Sequence, residues 1–131
     1  MNAIPIGKLS IATDVNIETI RYYEREGILP LPKRSGNGRR IYFEEDVRRL
    51  NFIHKCRGLG FSLKEIRDLL SLVDTGDFTC GEIYTLTIEH ERQIAEKIEH
   101  LRRMQKVLLE MTAHCSKGKV PDCPIIDSLY E

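Results

Sequence analysis

The sequence predicts a mostly α-helical protein in two parts: short helices gathered around one hairpin, then a single long helix that ends in a cysteine-bearing loop. Apolar residues recur at three- and four-residue spacing over most of the 131 residues, which is the helical period. One Asn37-Gly38 pair, a strong hairpin-turn signal, interrupts that pattern between KRS and RRIYF. From Cys80 to Ala113 no proline occurs, and no glycine after Gly81.

The first helix is expected over Ile6–Thr13, with Ile6, Leu9 and Ile11 or Ala12 supplying its apolar side. Asp14-Val15-Asn16 breaks it. Asn16 can cap a second helix, from Ile17 to about Glu26, by accepting from an orphan backbone amide, and Gly27 stops it. Helix, tight turn and helix at this spacing is a helix-turn-helix candidate. Its second helix carries Thr19, Arg21, Tyr22 and Arg25, side chains that can reach phosphates or base edges. A helical pair with a merely solvated face is the plain alternative. The hairpin favours the first reading, because it gathers Lys33, Arg34, Arg39 and Arg40, with Tyr42 beside them. A basic hairpin next to a helix-turn-helix is the arrangement of a winged DNA-binding domain.

A third helix follows in EEDVRRLNFIHKCRGLGF. Glu44, Glu45 and Asp46 suit its positive N-terminal end, Val47, Leu50 and Ile53 or His54 line one side, and Gly58 and Gly60 end it. Ser62 and Glu65 form a capping box for the fourth, in which Leu63, Ile66, Leu69, Leu70 and Val73 have helical spacing. Cys56 is expected to be a buried apolar residue rather than a ligand. Asp74–Asp77 is a break.

The long helix of Cys80–Ala113 would be a rod of roughly 50 Å at 1.5 Å per residue. Ile83, Thr87, His90, Ile94, Ile98, Leu101, Leu108 and Met111 form a stripe that a chain this short cannot cover by itself. A parallel or antiparallel helix pair in a homodimer covers it. Past the helix, Cys115 and Cys123 close a turn-rich loop, and IIDSL can fold back as a short helix. Paired thiols suit soft cations, although the spacing is not that of a zinc ribbon.

Charge and composition narrow the function classes. The net charge is zero, but residues 1–60 hold eleven Lys/Arg against seven Asp/Glu, and residues 61–131 hold nine against thirteen, so a basic half is available to a polyanion. No phosphate-binding glycine loop, HExxH pair or nucleophile with a base occurs, so the chain does not read as an enzyme. No run of 18 apolar residues and no secretion signal are visible, so no membrane association and a cytoplasmic location are expected. In that compartment the four cysteines are thiols or ligands rather than disulfides. A thiol-based metal-storage or redox protein is the alternative from another class.

The stretches IGKLSIATDVNIETIRYYEREGIL, RSGNGRRIY, CRGLGFSLKEIRDLL and CSKGKVPDCPII, in this order, resemble the MerR-like metal-sensing transcription regulators. The resemblance implies a winged helix-turn-helix DNA-binding domain over 1–73, a linker over 74–79, an antiparallel coiled-coil dimerisation helix over 80–113, and a metal-binding loop with a short C-terminal helix over 114–131. It implies a metal site of Cys115 and Cys123 with Cys80 from the partner. A cysteine at the position of Cys80 marks members that sense divalent ions, so mercury, cadmium, lead or zinc is expected. Seven residues between the loop cysteines resemble the copper type, which leaves a copper(I), silver or gold sensor as the alternative. For zinc, His114 or water could supply a fourth ligand. The resemblance further implies promoter DNA and RNA polymerase as partners: the dimer sits on a palindromic operator and, with metal bound, distorts it so that metal-resistance genes are transcribed.

Overall fold

The computed structural model describes residues 3–113 and 123–131. It divides into two compact units, Met1–Phe78 and Thr79–Glu131.

The first unit holds α1 (Ile6–Thr13), α2 (Ile17–Arg25), β1 (Lys33–Arg34), β2 (Arg40–Ile41), α3 (Glu44–Gly58) and α4 (Leu63–Thr75). Asp14, with φ 58° and ψ 32°, closes α1 in the left-handed region, which Asp tolerates better than most residues. Asn16 then caps α2, its Oδ1 accepting from the Thr19 amide at 2.8 Å. This pair of local signals makes the tight turn of the helix-turn-helix. Gly27, with φ 74°, turns the chain out of α2, and the Ile28 amide donates back to the Tyr23 carbonyl.

The hairpin is short. Lys33 pairs with Ile41 and Arg34 with Arg40, antiparallel. Its turn is closed by the Gly38 amide donating to the Ser35 carbonyl, and Gly38 takes φ 82°. That is a tight turn followed by one left-handed residue, a conformation that favours glycine. Near the N-terminus, Ile4 and Tyr42 exchange two backbone hydrogen bonds of 2.8 Å and widen the ladder beyond the hairpin. Nothing in the sequence pattern announced this pairing.

α1 packs against α2 and α3, and α3 against α4. Leu9, Ile20, Ile28, Leu29, Leu50, Ile53 and Ile66 are all at most 1% exposed and form the centre of the core. Ile53, not His54, faces inward. The expected inner face of α1 needs correction. Ile11 is 85% exposed and Ala12 is exposed, while Thr13 is buried with its hydroxyl donating to the Leu9 carbonyl at 2.8 Å. That bond satisfies the hydroxyl and lets a polar residue stand where an apolar one was expected. Val73 is also exposed, although it continues the apolar spacing of α4. Ser62 and Glu65 make both bonds of the capping box. Arg49 of α3 grips both oxygens of Asp74 at 2.8 and 3.1 Å and donates to the Ile28 carbonyl, tying the end of α4 to the loop after α2. Cys56 is buried, as expected, and burial pushes its thiol pKa up.

The second unit is α5 (Cys80–Ala113) with α6 (Pro124–Tyr130). α6 packs back on the C-terminal third of α5, around Val107, Met111, Pro124 and Ser128. Ile94, Ile98, Leu101, Met104 and Leu108 are 37–59% exposed. A mostly α, winged helix-turn-helix-like fold with a long C-terminal helix is therefore present. No described helix is long and apolar enough to cross a membrane.

Candidate functional site

Helical spacing sorts the side chains of α2 into two sets. Ile20, Tyr23 and Glu24 point into the core, and Arg21, Tyr22 and Arg25 make an outward ridge. The Arg25 guanidinium lies 5.9 Å from the centre of the Tyr22 ring, and Tyr22 in turn leans on Tyr23 with centroids 6.1 Å apart. These contacts hold two extended side chains in place before any ligand arrives. Arg21 lies on the same ridge, its Nη1 3.2 Å from Glu18, with nearly half of its side chain exposed. Thr19 is half-buried and its backbone amide is taken by the Asn16 cap.

On the hairpin, Lys33, Arg34 and Arg39 are exposed. Arg34 spans the turn to donate to the Gly38 carbonyl at 2.8 Å, which stiffens the tip. The Lys33 ammonium sits 5.7 Å from the centre of the Phe43 ring. The fold thus assembles an exposed basic surface from α2 and the hairpin within one unit. Exposed cations on such a surface suit phosphates, and the aromatic and arginine side chains of a helix can reach base edges.

Two of the residues expected on that surface behave differently. Tyr42 is 0% exposed, and its hydroxyl donates to Glu24 Oε2 at 2.7 Å. It is a core residue, so the expectation that it meets DNA directly is corrected. The reason is the strand's alternation: Tyr42 stands two residues beyond Arg40 and faces the same way, toward α2. Burial, then the hydrogen bond to the Glu24 carboxylate, pushes the Tyr42 phenol up to about 12. Arg40 is half-buried and donates to Glu24 Oε1 at 2.5 Å, so its charge is largely answered inside the protein. Glu24 itself escaped the sequence reading. Its position four residues after Ile20, on the core face of α2, was the available signal, because a carboxylate there requires partners.

Of the three cysteines expected at the metal site, Cys80 and Cys123 are among the described residues, and both belong to the second unit. Cys80 is exposed at the first residue of α5. Cys123 is half-buried and directly precedes α6. Cys115 and His114 lie outside the described residues. Because α6 packs on the far end of α5, most of a rod of roughly 50 Å separates Cys80 from Cys123 of the same chain. Among the described residues no three metal-ligating side chains come together in one protomer. Thiolate donors fit a soft cation, but one chain does not bring Cys80 to Cys123.

Comparison with known proteins bears on both regions. A family model described as MerR HTH family regulatory protein matches residues 4–73, and one described as MerR, DNA binding matches residues 47–111. The chain is 42% identical over 127 residues to a mercuric resistance operon regulatory protein of Bacillus cereus, covering 96% of each. It is similar to the crystal structure of the transcription regulator PbrR691 from Ralstonia metallidurans CH34 in complex with lead(II). There the TM-score is 0.83 at 38% identity, over 96% of this chain and 98% of the other. It is similar, too, to the mercury(II) complex of the regulator MerR from Bacillus megaterium MB1, with TM-score 0.75 at 38% identity, over 98% of this chain and all of the other. Two family models that together span residues 4–111, and relatives matched over nearly the whole chain, place it: this chain belongs to the MerR family of helix-turn-helix regulatory proteins.

Proposed function

We propose that this regulator binds a palindromic promoter operator as a homodimer and switches on metal-resistance genes by distorting the DNA when a soft divalent ion is bound. Cys115 and Cys123 of one protomer and the partner's Cys80 form its metal site. The functional division that goes with this is a DNA-binding domain over 1–73, a linker over 74–79, a dimerisation helix over 80–113 and a metal-binding segment over 114–131.

The observation that carries the reading is the separation of the thiols. Cys80 begins α5, and Cys123 precedes α6, which packs at the other end of α5. An antiparallel pair of α5 helices sets the start of one against the end of the other, and so joins Cys80 to the loop across the dimer. The same pairing covers the exposed Ile94, Ile98 and Leu101. Relatives bound to lead(II) and mercury(II) support a soft dication as the effector. Three thiolates neutralise a dication better than a monovalent ion, for which a third thiolate leaves excess negative charge. When bound, such an ion supplies a cross-link between protomers. RNA polymerase is the partner that uses the distorted promoter.

On the DNA side, Arg21, Tyr22 and Arg25 of α2 enter the major groove with Thr19 near the helix start, and Lys33, Arg34 and Arg39 follow the backbone. Arg40 stands behind them.

Metal titration followed by X-ray absorption on the wild type and on Cys80→Ser, paired with a promoter reporter, tests the site. Three sulfur neighbours in the wild type, falling to two in the variant with loss of the response to dications, is the expected result. A variant that responds normally, with the wild type preferring copper(I) through two sulfurs, overturns the divalent assignment and leaves a monovalent sensor of the same family.

A further inference from the structure

Glu24 is a carboxylate buried in the helix that faces DNA. Its side chain is 3% exposed, and each oxygen receives one donor, Arg40 Nη1 at 2.5 Å and Tyr42 Oη at 2.7 Å. Both donors belong to the end of the hairpin, on one face of β2 and its continuation, and Tyr42 is in turn clamped by its two backbone bonds to Ile4. A single side chain of α2 therefore bolts the hairpin to the recognition helix. A negative charge is an unfavourable choice on an element that approaches a polyanion, unless it is neutralised and has another task.

We propose that Glu24 is a positioning residue for operator recognition: it fixes the angle between α2 and the wing and withholds the charge of Arg40 from the phosphate backbone. The inference rests on the DNA-binding reading above. Specific binding needs α2 in the groove and the wing on the backbone at the same time, so it depends on their relative position. Non-specific binding needs only cations near phosphates and does not. Loosening the bolt thus lowers the first and spares the second. Loss of the Glu24 charge also frees Arg40 to act as one more phosphate contact. A glutamine at this position keeps the size, and its oxygen can accept from Arg40 while its amide donates to the Tyr42 oxygen, so what it removes is the carboxylate charge that holds Arg40 and strengthens both bonds.

The test uses the full-length protein, a duplex that the wild type selects from a randomised library, and a scrambled duplex of the same length and composition. Affinities for both are measured across a series of salt concentrations. For Glu24→Gln, affinity for the selected duplex is expected to fall about tenfold. Affinity for the scrambled duplex holds or rises, and its salt slope steepens by about one charge. Tyr42→Phe, which keeps the ion pair, lowers the ratio of the two affinities by a smaller factor and leaves the slope unchanged. A ratio unchanged in both variants overturns the proposal, as does a parallel loss on both duplexes with unaltered slope. If Glu24→Gln loses its helical circular dichroism, Tyr42→Phe alone decides, and an unchanged ratio there is the overturning result. Failure of the wild type to select any duplex overturns the DNA-binding reading itself, and is distinguishable from failure of either variant.

Discussion

Replacing Ile94 and Leu101 together by glutamate strikes the long helix where its stripe is open. Ile94 is 37% exposed and Leu101 59% exposed in the single chain. Fully burying such a side chain is worth about 2 kcal/mol, so covering the exposed fractions contributes about 0.7 and about 1.2 kcal/mol. That is about 2 kcal/mol per protomer and about 4 kcal/mol per dimer, or roughly a thousandfold in the dissociation constant. Four introduced carboxylates add the cost of covering charge without partners. Neither residue belongs to the core of the first unit, so the helix-turn-helix stays folded and circular dichroism should change little. Sedimentation at micromolar protein should give about twice 15.2 kDa for the wild type and a single 15.2 kDa species for the variant. Affinity for a palindromic duplex should collapse with dimerisation, since two half-sites require two heads. A wild type that sediments as a monomer while binding DNA tightly refutes the reasoning, and so does a variant that remains dimeric.

The remaining expectations concern smaller groups. Arg39→Ala should weaken binding to all duplexes and reduce the salt slope by about one, measured by gel-shift titration, whereas Arg40→Ala should reduce it less because Glu24 already answers that charge. The Tyr42 phenol is raised from 10.0 to about 12 in the folded state, so the stability linked to it is complete below pH 10 and is lost as the pH climbs toward 12. Alkaline denaturation of Tyr42→Phe should lack that component, on the order of 2–3 kcal/mol, and an identical alkaline profile would remove it from the account. Hydrogen bonding to Arg49 lowers the Asp74 pKa, so its contribution is present above about pH 4 and fades as the pH falls through the depressed value; Asp74→Asn should flatten this acid limb in a chemical-denaturation series. Asn16→Ala should cost about 1 kcal/mol, read as a lower urea midpoint at unchanged slope, by leaving the Thr19 amide without its cap, and no change would show that the turn is held by other contacts.

Local chemistry by itself determined the helices and their ends. Asn16, Ser62 with Glu65, and the glycines at helix ends act on backbone groups within a few residues, so their effect is written in consecutive letters. The same holds for the Asn37-Gly38 turn and for the uninterrupted run that became α5. Tertiary structure alone decided which of the residues near the basic surface face out. Arg39 and Arg40 are neighbours with the same charge, yet one is exposed and the other is committed to a carboxylate sixteen positions earlier. Tyr42 looked like part of the surface and lies at the centre of the core, because its partner Glu24 and its backbone mate Ile4 are far away in sequence. Thr13 lies four residues after Leu9 and shares the face that the neighbouring helices cover, whereas Ile11 points away from it, and the Leu9 carbonyl satisfies the buried hydroxyl. Periodicity records how often a chain returns to one face, whereas burial depends on what another segment brings to that face, and a buried polar group is settled only by the partner it meets.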